Sequence, residues 1–69
     1  MQVWIVQFRR SGDDYTARAF RTETEAKTFA FEFLSQNVWN PQDFNNLEDL
    51  ESHCLDKDLA YVEITMCWI

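Results

Sequence analysis

Residues 22–34, Thr-Glu-Thr-Glu-Ala-Lys-Thr-Phe-Ala-Phe-Glu-Phe-Leu, decide how this chain is read. Thr22-Glu23-Thr24-Glu25 forms a capping box. The Thr22 hydroxyl can accept from a free backbone N–H of a first helical turn, and Glu25 can reach back to the N–H of Thr22. Ala26, Phe29, Ala30, Phe33 and Leu34 then recur at three- and four-residue spacing and fall on one apolar stripe. Lys27, Glu32, Ser35 and Gln36 fall elsewhere. The pattern predicts a core-facing helix that follows Thr22 and runs to about Val38. Phe31 lies off the stripe.

Upstream, residues 2–10 carry apolar side chains on both faces, Val3 and Ile5 on one and Trp4, Val6 and Phe8 on the other. A strand apolar on both sides belongs in the middle of a sheet. Ser11-Gly12-Asp13-Asp14 is turn chemistry, because Gly reaches positive φ and Asp caps nearby backbone donors. Residues 15–21 read as the returning edge strand of a hairpin, with Thr16 and Arg18 toward water. Arg9 and Arg10 before the turn are expected to pair with Asp13 and Asp14 after it.

Downstream, residues 37–46 form a loop in which Pro41 keeps Asn40 out of the helical region. A second, shorter helix is expected from about Leu47 to Leu55, capped by Asn45 or Asn46, with Leu47, Leu50 and Cys54 inward. Glu48, Asp49 and Glu51 sit in its first turns, where carboxylates suit the helix dipole. Leu59 to Ile69 reads as a strand with Ala60, Val62, Ile64, Met66 and Trp68 on one face.

The order β-β-α-α-β implies an α+β fold in a single domain, residues 1–69. The expected architecture is a three-stranded mixed sheet in order 2-1-3 with two helices packed on one face. Two antiparallel helices would return the chain so that the third strand runs parallel to the first, by a right-handed crossover. At 69 residues the core is small, but aromatics make up 16 % of the chain and supply large side chains to fill it. Some of these aromatics are expected to be completed by a partner.

Charge is divided along the chain. Residues 1–27 hold five basic and four acidic side chains, whereas residues 28–69 hold eight acids against the single base Lys57. The resulting net charge of −6 disfavours nucleic acid as a direct ligand and favours basic protein surfaces. Arg9, Arg10, Arg18 and Arg21, interleaved with Trp4, Phe8 and Tyr15, could suggest a base-stacking sheet. The net charge and the two acids in the same hairpin oppose that reading.

No catalytic, metal or nucleotide-binding motif is present, so no enzymatic activity and no cofactor are expected. His53-Cys54 with Cys67 falls short of the four paired ligands of a structural zinc site. Adjacent helical residues diverge by about 100°, so His53 is badly placed to activate Cys54 as a nucleophile. The two cysteines read as reduced thiols, with a single bridge between them as the alternative. No apolar run approaches the ~20 residues that span a bilayer, and the N-terminus lacks the order of a signal peptide. The chain therefore reads as a complete, soluble, cytoplasmic protein.

The candidate partner-binding residues are Asp43, Glu48, Asp49 and Glu51 for charge, with Trp39, Phe44 and Phe31 as aromatic anchors. They imply a non-enzymatic acidic module that docks on a basic surface of a larger, nucleic-acid-handling protein and blocks it. That physical type is shared by viral and mobile-element inhibitors of host defence, anti-CRISPR proteins included. The alternative is a small structural or assembly subunit that oligomerises through its C-terminal edge strand. Residues 59–69 contain none of the Lys, Pro or Gly that usually protect an edge, so a homodimer of six strands and four helices is a further expectation.

Overall fold

The computed structural model describes all residues, 1–69. β1 (Gln2–Arg10) and β2 (Thr16–Phe20) form the hairpin, α1 (Glu23–Ser35) follows, and a 3₁₀ turn (Pro41–Asp43) interrupts the next loop. α2 (Leu47–Asp56) and β3 (Ala60–Trp68) complete the chain. At the hairpin the Asp13 N–H donates to the Arg10 carbonyl (3.0 Å), and Gly12 takes φ +87°, a conformation that costs other residues strain.

Both helices begin at side-chain caps. Thr22 accepts from the Glu25 N–H (3.1 Å), and its own hydroxyl donates to the Glu25 carboxylate (3.3 Å) rather than Glu25 reaching the Thr22 backbone. Asn46, and not Asn45, caps α2, accepting from the Asp49 N–H at 2.8 Å. α1 stops three residues short of Val38. The Asn37 side chain occupies the Phe33 carbonyl (2.9 Å) while its N–H turns back to Leu34 (3.0 Å), which closes the helix end.

α2 ends in a Schellman arrangement. Asp58 sits at φ +55°, its N–H donating to the Leu55 carbonyl, and the Leu59 N–H reaches the Cys54 carbonyl at 2.9 Å. Asp is one of the few residues besides Gly that tolerate this backbone, and its carboxylate also accepts from the Ser11 hydroxyl (3.3 Å).

The strand order is β2-β1-β3, as expected, but the sheet is wholly antiparallel and not mixed. β3 pairs with β1 from Gln2 opposite Trp68 to Arg10 opposite Ala60. The difference lies in the helix layer. The start of α2, at Asn46 and Leu47, shares a shallow recess with Lys27, Thr28 and Phe31 of α1, while Cys54 near its end lies against the Leu34 carbonyl (4.0 Å). The two helices therefore run in the same sense. Residues 37–46 carry the chain back along α1, which they can do because ten extended residues reach ~33 Å and thirteen helical ones span ~20 Å. α2 then climbs to the hairpin end, where the Ser11 N–H meets the Leu59 carbonyl (3.0 Å), and β3 can only descend. With no parallel pair, the handedness rule for crossovers has nothing to act on.

The core has two parts. Ala30, Leu34, Leu50, Cys54, Ala60 and Val62 form a buried cluster between the helices and β3. Beside it, the Phe8 ring of β1 stands 4.9 Å from both Phe29 and Phe33 of α1, and Phe29 in turn stands 5.3 Å from Phe20 of β2. These rings clamp α1 to the hairpin. Replacing Phe8 with Ala removes the central ring and should cost about 3–5 kcal/mol, most of the stability of a domain this size. Denaturant unfolding of F8A measures it, and a loss under ~1 kcal/mol would mean the clamp does not hold the layer.

Candidate protein-binding surface

Oppositely charged side chains come within ion-pair distance only once in this chain. The one ion pair is Lys27 to Glu23 (3.1 Å), between exposed side chains one helical turn apart. Pairing of Arg9 and Arg10 with Asp13 and Asp14 is not formed; Arg9 instead donates to the Asp13 backbone carbonyl (3.3 Å). Its guanidinium lies between two tyrosine rings, 5.1 Å from Tyr15 and 4.5 Å from Tyr61. Arg18 lies over Phe20 (5.8 Å) and Phe29 (5.1 Å). Two of the arginines are thus held by rings, as guanidinium planes favour, and none neutralises an acid. None of the eight acids of residues 28–69 forms an ion pair inside the molecule.

The structure distributes the candidate residues over the outer side of the helix layer. Trp39 is fully solvent-exposed, its side chain as open as in an extended peptide (101 %). Asp43, in the following 3₁₀ turn, is exposed and accepts from the Asn40 side chain. Phe44 and Phe31 are half-buried and pack on the core cluster, Phe44 with its ring 4.9 Å from that of His53. Phe31 also borders the recess between α1 and Leu47.

On α2 the inward Leu47, Leu50 and Cys54 set the phase. At about 100° per residue, Glu48 and Glu51 fall on one flank with Leu55, whereas Asp49 falls on the other with His53. Glu51 and Leu55 border a shallow notch with Ala60, Tyr61 and Val62 of β3, whereas Glu48 borders a recess with Lys27 of α1, Asn46 and Leu47. Asp49 is engaged in the helix cap through Asn46 (3.3 Å). The acids thus point to two sides of α2 and do not converge on a single spot.

Sequence reasoning missed three exposed apolar side chains: Leu55 (61 %), Met66 (43 %) and Trp68 (69 %). Met66 and Trp68 share the helix-side face with buried Val62, so alternation placed them in the core. A nine-residue strand is ~30 Å long, while α2 spans ~15 Å, and the far end of the sheet lies beyond the helices. Length mismatch between strand and helix was the signal available. For Leu55, it was the 100° departure from the stripe of Leu50 and Cys54.

Cys54 and Cys67 are both free thiols. Burial pushes the Cys54 thiol pKa up, so it stays protonated and unreactive near neutral pH. No cluster of three or more His, Cys, Asp or Glu side chains is arranged to hold a metal ion, and no helix is long and apolar enough to cross a membrane. No family model matches this chain, and no curated protein or solved structure does either.

The two loop aromatics should separate cleanly by stability. Trp39→Ala is expected to leave unfolding free energy within about 0.5 kcal/mol of the parent, and Phe44→Ala to lower it by ~2 kcal/mol or more. A large loss for W39A would show that the indole is held by the fold and is not free for a partner.

Proposed function

We propose that this chain is a non-enzymatic protein-binding module. It docks through the acidic outer side of the helix layer on a basic surface of a larger, nucleic-acid-handling protein and blocks that surface. The observation that supports the reading is the absence of internal ion pairs for eight acids alongside a fully exposed Trp39. Unpaired carboxylates on a small body project a negative field that speeds encounter with a basic surface. The open indole of Trp39 supplies the kind of aromatic anchor around which interfaces concentrate their energy.

In this reading Asp43, Glu48, Asp49 and Glu51 steer, Trp39 anchors, and the half-buried Phe31 and Phe44 lend apolar floor. The physical type is that of an anti-defence inhibitor from a virus or mobile element, acting in the host cytoplasm on a machine that handles nucleic acid. A structural subunit assembling through its C-terminal strand is the second reading, and the unpaired outer edge of β3 favours it.

Affinity capture from nuclease-treated host lysate, with the parent and with the D43A/E48A/D49A/E51A variant, tests the proposal. The parent is expected to retain a basic protein that high salt releases. The variant is expected to bind that protein with an association rate lowered about tenfold or more and a flatter salt dependence. The same partner bound at an unchanged rate by the variant would remove the acidic surface from the account.

A further inference from the structure

The parity of the β1–β3 ladder determines what the outer edge of β3 offers. Ile69 donates its N–H to the Met1 carbonyl (2.8 Å) and accepts from the Met1 nitrogen (2.7 Å), so these two residues form a hydrogen-bonded pair. In an antiparallel ladder such pairs recur at every second position. Cys67, Thr65, Glu63 and Tyr61, opposite Val3, Ile5, Gln7 and Arg9, therefore turn their backbone groups inward to β1. Ala60, Val62, Ile64, Met66 and Trp68 turn theirs outward, and no strand of the fold meets them; Ala60 is almost wholly buried, so the open edge runs from Val62 to Trp68. The opposite edge, β2, is only five residues long.

Acids stand on both sides of this edge. Glu51 lies on the helix side, beside Ala60 and Val62. Glu63 is exposed on the other face, and β3 itself carries no base. Successive side chains of an added strand point to alternate faces of the sheet. A basic residue on one face would meet Glu51, and one on the opposite face would meet Glu63, while an apolar side chain would fill the notch at Leu55.

A second copy of β3 supplies the reverse. It brings another Glu63, another Glu51 and a further −6 of net charge, with no Lys or Arg on the pairing strand. Like charges across a pair of strands are destabilising.

The geometry points to strand addition on the outer edge of β3 by an extended partner segment that carries Lys or Arg among apolar residues. This rests on the reading above that the partner is basic. The added strand becomes the fourth of the sheet, held by backbone hydrogen bonds to the even-numbered residues 62–68 and selected by Glu51 and Glu63.

The test uses the full chain and an end-blocked peptide as long as β3 in repeating Lys-Lys-Val-Val order, which places Lys and Val on both faces of the added strand. Amide hydrogen exchange is read by NMR. Excess peptide should slow exchange at Val62, Ile64, Met66 and Trp68 by about tenfold or more. The same peptide with every backbone nitrogen methylated keeps its side-chain charge but has no backbone N–H with which to pair, and should leave those amides unchanged. Met66→Pro deletes one outward N–H without touching a β1 bond and should weaken peptide binding while the circular dichroism stays that of the parent.

Equal slowing by the methylated peptide, or no slowing at these amides, overturns the proposal. Protection of the same amides without peptide, together with a doubled solution mass, would make the second copy the occupant and also overturn it. The peptide is not the native partner. Edge protection with unchanged capture by the four-acid variant would remove the acidic-surface reading and leave the edge. Lost capture without edge protection would do the opposite.

Discussion

Phe8 is the contact from which the rest of the fold is hung. Its ring stands 4.9 Å from Phe29 and from Phe33, so it touches α1 at two successive turns and fixes the helix along β1. Only eight residues of the chain are fully buried, which leaves few other contacts to set that alignment. Once α1 climbs from the Phe20 end of the hairpin toward the turn, Leu34 arrives where Cys54 and Leu50 can close over it. The rest follows from chain length. The segment 37–46 is long enough to return beside α1, α2 climbs a second time, and β3 descends as the outer strand.

The same aromatics govern the charge. Arg9 is held between Tyr15 and Tyr61, and Arg18 over Phe20 and Phe29. A guanidinium stacked on rings keeps its charge but is not positioned to neutralise a carboxylate on the far side of the molecule. The hairpin strands carry three of the arginines, and no acid of α2 or β3 forms an ion pair with them or with either lysine. Isolated surface ion pairs contribute little to stability, so leaving them unmade costs the fold almost nothing. What it leaves is a field directed outward.

Local chemistry was legible where a few neighbouring residues decide the outcome. Thr22 with Glu25, the Phe29–Phe33 stripe, Gly12 in the turn and Asn46 before Leu47 each specify a cap, a face or a bend. Strand order was legible because Val3 to Phe8 is apolar on both faces. The sense of β3 was not, since it depends on which way α2 runs, and the sequence shows the length of 37–46 but not its path. Burial of Met66 and Trp68 was misjudged for a similar reason: alternation assigns a face but not how far the covering helix extends. For the candidate surface, the acids could be counted in the sequence, but only the fold shows that Glu51 borders β3 while Glu48 borders Lys27 of α1. Exposure of Trp39 likewise depends on the return path of the loop.

The carboxylates of the acidic half repel one another without forming ion pairs inside the molecule, and the dependence of thermal stability on salt tests this most directly. Repelling carboxylates are screened by added ions, whereas attractive pairs are weakened by them. Between ~0.01 M and ~0.3 M NaCl the melting temperature is predicted to rise by several degrees, on the order of 1 kcal/mol for a domain of this size. A melting temperature that falls over that range would mean that the acids are paired inside the fold, and would contradict the account.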